Sequence, residues 1–218
     1  MSCNFSVADT PFIWFDLDDT VWDFRNNSLD TLREFYEARA LDRFWPSPGE
    51  WIDSYHAYNG PLWVRYGKGE ISLDYLRLQR FIIPFAEAGV HISEAEAGEF
   101  DADYLDRLSR RTRLVPGALD LIARLHAGGF TLGIISNGFA DTQRRKLQSS
   151  GIERYFSHLV LSEDAGEPKP SPVIFRYAEK VSGAGPRQCV LIGDNPDTDI
   201  AGAINAGWQA FLVSDILG

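Results

Sequence analysis

Phe12-Ile13-Trp14-Phe15-Asp16-Leu17-Asp18-Asp19-Thr20 carries four apolar residues straight into three carboxylates within four positions. A short apolar run with aromatic and β-branched members predicts a buried strand. Acids crowded at its C-terminal end repel one another and cost stability unless a cation sits among them. In open α/β sheets that end of a strand is where ligands bind. Two readings of the acids are open from this stretch. Asp16 and Asp18 form a divalent-metal and catalytic carboxylate pair, or they are turn and helix-cap acids, since Asp favours both places.

Downstream of Leu114-Val115-Pro116-Gly117 the chain alternates between helix and strand patterns. Helix 117–127 stops at Gly128-Gly129, and strand 130–135 follows. Helix 140–149 stops at Gly151 and precedes the short strand 158–161. Helix 172–182 has proline in its first turn. Strand 189–192 leads to helix 197–206, and a last strand spans 209–213. This alternation predicts a parallel sheet with helices on both faces, to which the opening strand belongs.

Residues 25 to about 110 have a different pattern, with no convincing strand. Asn27 or Ser28 is placed to cap a helix carrying Leu29, Leu32, Phe35 and Tyr36 on one face. Trp45-Pro46-Ser47-Pro48-Gly49 reads as a loop, and 50–58 and 61–67 as two short aromatic helices. Ser72 starts another helix, which Pro84 closes or kinks, and Ser93-Glu94-Ala95-Glu96 is a capping box. The expected fold class is α/β, a doubly wound parallel sheet with an inserted all-helical domain. The segments are 1–24 and 112–218 for the core and 25–111 for the insertion.

With 218 residues, 44% hydrophobic and 24% charged, the composition is that of a soluble globular protein. No run of about 18 apolar residues predicts a transmembrane helix. Met1-Ser2-Cys3-Asn4-Phe5 lacks the basic and apolar regions of a signal peptide. Cys3 and Cys189 are too few for a disulfide framework, which points to a reducing cytoplasm. A net charge of −10 argues against nucleic acid and anionic membrane as partners. It leaves room for a small anionic substrate, because a bound cation reverses the field inside one pocket.

Four segments leave their predicted strands with polar residues: Asp16–Thr20, Ser136-Asn137-Gly138, Glu167-Pro168-Lys169-Pro170, and Gly193-Asp194-Asn195-Pro196-Asp197-Thr198-Asp199. In a parallel sheet their ends share one edge and converge. Each suits phosphoryl transfer, where positioning and charge neutralisation dominate. A carboxylate attacks phosphorus, a second carboxylic acid serves the leaving oxygen, and magnesium takes oxygen ligands. A hydroxyl and backbone N–H groups hold the phosphoryl oxygens, and a lysine supplies fixed positive charge. Singly, each segment has a simpler reading: Ser136-Asn137-Gly138 as a loop, Lys169 as a surface lysine, Asp197 or Thr198 as a helix cap. Their order along one chain is hard to explain as caps and turns.

The ordered set resembles the haloacid dehalogenase-like hydrolase superfamily, over roughly 10–24 and 112–218. The resemblance implies a Rossmann-like core, Asp16 as nucleophile and Asp18 as general acid/base. Ser136 would bind the phosphoryl group, Asn137 would supply a backbone donor, and Lys169 would be the family's lysine. Asp194 would hold Mg²⁺ with the Asp16 carboxylate and the Asp18 carbonyl, and Asp199 would support the metal shell or the lysine. Dehalogenases of the superfamily lack an acid at the position of Asp18, so the resemblance favours phosphatase chemistry on a small phosphorylated metabolite. Asp19 is left as a turn residue.

The insertion resembles the family's helical C1 cap, closing over the site. Trp51, Tyr55, Tyr58, Trp63 and Tyr66 either stack a base or form the cap's own core. Arg65, Lys68 and Arg77 either meet an anion or lie on a solvated face. The pattern is loosely similar to the branch acting on pyrimidine 5′-monophosphates. Sugar phosphates, β-phosphoglucomutase-type chemistry and a non-catalytic binding module are the alternatives.

Overall fold

In the computed structural model, residues 12–218 are described; Cys3 and the leader reading of residues 1–5 lie outside the described residues. The opening apolar run forms strand β1, Phe12–Phe15. It is the middle strand of a five-stranded sheet, all of whose pairings are parallel. The others are β2 (Thr131–Ser136), β3 (His158–Leu161), β4 (Cys189–Gly193) and β5 (Gln209–Leu212). Their order is β3-β2-β1-β4-β5. The chain steps outward from β1 to β3, then returns to the other side of β1 for β4. That reversal puts the topological switch point between β1 and β4, where α/β sheets open a ligand crevice.

Pairing on both sides explains why β1 is apolar without alternation. Phe15 is level with Ile134 on one side and Ile192 on the other. The Trp14 ring is fully buried, and Gly133 beside it is obligatory: a Cβ there would lie 2.6 Å from the indole. Trp14, Phe175, Cys189, Leu191 and Trp208 belong to one buried cluster. Burying a Trp of this size contributes at most about 4–6 kcal/mol. The thiol of Cys189 is a small core group, and burial pushes it up to about 12.

By contact, the chain divides into two units, residues 1–24 with 112–218, and residues 25–111. The second is all-helical among its described residues: α1 (Phe24–Ala38, whose first residue is in the sheet unit), α2 (Pro48–Gly67), α3 (Leu73–Glu87) and α4 (Glu94–Ser109), with a 3₁₀ turn at Leu41–Arg43. Its core is aromatic. Trp51 lies 4.8 Å from Trp45 and 5.9 Å from Phe35, ring centre to ring centre, and Phe85 lies 5.3 Å from Phe100. Ser93 and Glu96 form the expected capping box at the start of α4.

Several expectations for this unit are corrected. Residues 50–58 and 61–67 are one helix, α2, which Ser47 caps by accepting from the Glu50 N–H. Pro61 removes one helical bond, at about 3 kcal/mol. Burial of Trp51, Ile52, Tyr55 and Leu62 on the same helix offsets that cost. Pro84 likewise sits inside α3, buried. Asn27 and Ser28 are no caps: α1 begins at Phe24, both are buried within it, and Ser28 Oγ shares a 2.8 Å hydrogen bond with Tyr104 Oη.

The sheet unit's helices are α5 (Ala118–Ala127), α6 (Ala140–Ser149), α7 (Ser162–Ala165), α8 (Pro172–Ser182), α9 (Ala201–Asn205) and α10 (Val213–Leu217). The helix expected over 197–206 divides into a wide π-type turn at Pro196–Ile200 and then α9. Its cap is Asn195, whose side chain accepts from the N–H groups of Asp197 and Thr198; neither of those residues is the cap. No helix among the described residues is long and apolar enough to cross a membrane.

Candidate active site

The acids after β1 are set by a tight loop. The Asp16 N–H extends the sheet ladder to the Ile192 carbonyl at 2.9 Å. The carbonyl of buried Leu17 accepts from both Val21 and Trp22. Asp19 turns the chain with φ of 56°, a left-handed conformation that Asp tolerates. Its N–H donates to the Trp22 carbonyl, which is the turn role expected of it. Trp22 and Asp23 then run beside Arg113–Val115, so the chain leaves and re-enters this unit side by side.

Asp16, Asp194 and Asp199 come together, with one oxygen of each within 4.8 Å of the others. Lys169 is buried among them. Its Nζ is 2.5 Å from Asp16 Oδ1 and 2.7 Å from Asp199 Oδ1. Burial alone would push the Lys169 ammonium down, but the carboxylates of Asp16 and Asp199 reverse this and hold it above its ordinary value. Burial raises the Asp16 carboxyl well above the usual range; Lys169 opposes that, while Asp199, Asp194 and Asp18 add to it. Burial, then Asp199 and Asp19, lift Asp194 to about 6. Three carboxylates thus share one ammonium.

That shortage of positive charge is the test of whether a cation fits here. The donor set is all oxygen, which suits a hard divalent ion that keeps some of its water. Asp194, the exposed member, faces solvent, and Thr20 Oγ1 donates to it at 3.4 Å. Asp199 is further constrained, because its Oδ2 accepts from the Asn195 N–H at 3.1 Å. Gly193 makes room for this carboxylate: a Cβ there would lie 2.4 Å from Asp199 Oδ2. The Asp18 carboxylate is not in the trio; its expected contribution is through the backbone carbonyl.

Ser136 ends β2 and is buried. Its Oγ accepts from the Gly138 N–H at 3.2 Å and from Gln143 Nε2 at 2.7 Å. For Asn137, expected to act through its backbone N–H, the structure shows a side-chain role. Its side chain clasps the Lys169 backbone, donating from Nδ2 to the carbonyl and accepting at Oδ1 from the N–H.

Sequence reasoning missed two residues. Gln143 and Lys146 lie three apart on one face of α6, both buried. Lys146 Nζ is 2.6 Å from Asp18 Oδ1, and Gln143 Nε2 is 2.8 Å from Asp18 Oδ2. In the sequence they sit beside Arg144 and Arg145 in a strongly polar helix and read as solvated. The available signal was the Gln-x-x-Lys spacing, followed by Leu147, on the first helix after the Ser136 strand.

Comparison with known proteins identifies the family. A family model described as haloacid dehalogenase-like hydrolase matches residues 12–207. The pyrimidine 5′-nucleotidase YjjG of Escherichia coli is 34% identical over 197 residues, covering 90% of this chain and 82% of that protein. The phosphoserine phosphatase of Thermus thermophilus is 32% identical over 185 residues, covering 81% and 73%. A crystal structure of the HAD-hydrolase YfnB of Bacillus subtilis, described as bound to magnesium, superposes with a TM-score of 0.83 at 30% identity, covering 93% of this chain and 87% of that one. The chain belongs to the haloacid dehalogenase-like hydrolases and is an enzyme of that family.

Proposed function

We propose that the protein is a magnesium-dependent phosphatase that hydrolyses a small phosphomonoester through an aspartyl-phosphate on Asp16. The observation that carries this reading is the second acid, Asp18. It lies two residues beyond Asp16, and its carboxylate stays outside the Asp16–Asp194–Asp199 trio. An alkyl phosphate needs a proton for its departing oxygen, and a halide does not.

In this reading an Asp16 oxygen attacks phosphorus as the ester P–O bond breaks, and the Asp18 carboxylic acid gives its proton to the departing alkoxide. The Asp18 carboxylate then takes a proton from the water that attacks phosphorus, releasing inorganic phosphate and freeing Asp16. The Ser136 hydroxyl, the Asn137 N–H and the Lys169 ammonium hold the phosphoryl oxygens. Asp16, Asp194 and the Asp18 carbonyl, with Asp199 in support, would hold Mg²⁺, which would supply positive charge at the phosphoryl group. The magnesium in the YfnB structure supports that choice of ion.

The nucleotidase relative favours a pyrimidine nucleoside 5′-monophosphate as substrate. The phosphoserine phosphatase relative favours a second reading, another small phosphomonoester such as a sugar or amino-acid phosphate. Residues 25–111 are read as the cap that excludes bulk water from the intermediate. Within it Trp51 and Tyr55 are core residues, which leaves half-buried Tyr58, Trp63 and Tyr66 for a base. Arg77 pairs with Asp101 and Arg65 with Glu70. The charge of −10 supports a metabolite substrate over nucleic acid or membrane, and the two cysteines support a cytoplasmic setting.

The test is release of inorganic phosphate from pyrimidine and purine nucleotides, sugar phosphates, phosphoserine and an aryl phosphate, each with and without Mg²⁺. Turnover that needs Mg²⁺ and vanishes in a folded Asp16→Asn variant is expected. Full activity of that variant, or no phosphate released from any compound, overturns the proposal. Isomerisation of a sugar phosphate without phosphate release would replace it with a phosphomutase.

A further inference from the structure

We propose that Lys146 and Gln143, on one face of α6, are positioning residues that fix the Asp18 carboxyl for proton transfer and aim the Ser136 hydroxyl. The inference rests on the reading of Asp18 as proton donor and acceptor. Both Asp18 oxygens are taken by this helix, Oδ1 by Lys146 Nζ at 2.6 Å and Oδ2 by Gln143 Nε2 at 2.8 Å. The arrangement is unlike a surface ion pair. The Lys146 side chain is 3% exposed and that of Asp18 29%. A lysine this deeply buried carries a desolvation cost that a solvated helix face would avoid. The ammonium is further held over the Trp22 ring, 4.4 Å from its centre, and the Phe24 ring at 5.4 Å. Cation–π attraction to rings on the loop after β1 and its exit fixes where the charge sits.

Gln143 links two groups the reaction needs. Its Nε2 donates to Asp18 and, at 2.7 Å, to Ser136 Oγ. Ser136 Oγ also accepts from the Gly138 N–H. A hydroxyl oxygen has two acceptor lone pairs. With both engaged, the Ser136 proton is left to donate, which is what a phosphoryl oxygen requires. The amide is held in this orientation although its Oε1 is buried with no hydrogen-bond partner among the described residues. Gly138 permits the approach, since a Cβ there would lie 2.3 Å from Gln143 Nε2.

Positioning and mere packing differ in how they depend on the leaving group. The specificity constant reports steps up to phosphoryl transfer. An alkyl phosphate needs the Asp18 proton in that step, whereas a dinitrophenolate departs without one. In Lys146→Met, kcat/KM for an alkyl phosphate should fall about 10- to 100-fold, part of the factor general acid catalysis supplies. For 2,4-dinitrophenyl phosphate it should hold, with a burst of phenolate where dephosphorylation has become slow. Asp18→Asn is the control and should show the same bias, and adding Lys146→Met to it should cost nothing more. An equal fall for both esters in Lys146→Met, with the bias present in Asp18→Asn, overturns the positioning role and leaves the acid assignment intact. No bias in Asp18→Asn overturns both. Should Lys146→Met fail to fold by circular dichroism, Gln143→Met is judged by the excess fall for the alkyl ester over the dinitrophenyl ester, since loss of its Ser136 contact lowers both alike.

Discussion

Asn137 grips the backbone of Lys169 from both sides: Nδ2 donates to its carbonyl at 2.9 Å and Oδ1 accepts from its N–H at 2.7 Å. One side chain therefore ties the end of β2 to the segment that delivers the ammonium to Asp16 and Asp199. Asn137→Ala removes both bonds and leaves the Lys169 N–H and carbonyl to find new partners. We expect a loss of about 1–3 kcal/mol in urea unfolding. Activity should fall by about 10²-fold, because a reacting group is misplaced by a fraction of its own length. An Asn137→Ala enzyme with normal turnover would show that Lys169 holds its place without the clasp.

Asp194 gives a prediction with opposite signs for the metal-free and metal-loaded protein. Burial and the neighbouring acids raise its carboxyl to about 6, against an ordinary 3.8. The folded state therefore binds the proton more tightly than the unfolded chain. Ionised Asp194 costs stability above pH 6, and the cost is relieved as pH falls from about 6 towards 4. Asp194→Asn removes that cost, so in chelator at neutral pH the variant should melt no lower than the parent. Mg²⁺ at a hundred times its dissociation constant should stabilise the parent by about 2.7 kcal/mol and the variant far less. A differential scanning measurement in chelator and in Mg²⁺ reads both. A variant that melts lower in chelator would contradict the repulsion, and one that keeps the full Mg²⁺ shift would remove Asp194 from the metal shell.

What the sequence disclosed and what it withheld divide along physical lines. The five strands and the converging acids were legible because a buried parallel strand is a continuous apolar run, and its C-terminal end switches abruptly to polar residues. Asp16, Ser136 and Asp194 stand at or just beyond such a switch, whereas Lys169 follows β3 only after α7. Lys146 and Gln143 were illegible because they sit on a helix whose composition is almost wholly polar. Only the fold reveals that one face of that helix meets Asp18 rather than water. Prolines misled for a related reason. A local rule ends a helix at Pro61 and at Pro84, yet the aromatic core of the 25–111 unit outweighs one lost backbone bond at each. The cap was expected at Asp197 or Thr198 rather than Asn195, since all three are good caps and only the backbone path separates them.

Gly193 tests whether the site depends on space as well as charge. It closes β4 immediately before Asp194, and a Cβ at this point would lie 2.4 Å from Asp199 Oδ2 and 2.6 Å from Asp199 Cβ. The obstacle includes the root of a short side chain, so Asp199 cannot step aside without leaving Lys169. Gly193→Ala should cost about 1–3 kcal/mol by overpacking. It should also lower kcat more than the stability loss explains, since the 2.7 Å pair of Lys169 with Asp199 is broken. Gly151→Ala is the contrast. That glycine has φ of 70° but open space around it, so its substitution strains the backbone and leaves kcat of the folded enzyme unchanged.

The helical unit has its own buried charge. Asp101, 1% exposed, accepts from Arg80 through Nε at 3.0 Å and through Nη2, and from Arg77 Nε at 2.7 Å. The Arg80 guanidinium, 3% exposed, lies over the Tyr104 ring, 5.1 Å from its centre. Arg80→Met takes away the buried partner and leaves a buried carboxylate facing Arg77. Such a half-broken pair costs about 3–5 kcal/mol. Replacing both partners, Arg80→Met with Asp101→Leu, removes the stranded charge and should recover most of that loss. Denaturant melts of the three proteins, followed by the fluorescence of Trp45, Trp51 and Trp63 in a background where Trp14, Trp22 and Trp208 are Phe, report this unit directly. A double variant as unstable as Arg80→Met alone would mean that Asp101 is held for more than its charge, with the Tyr104 and Ser28 hydroxyls the next groups to test.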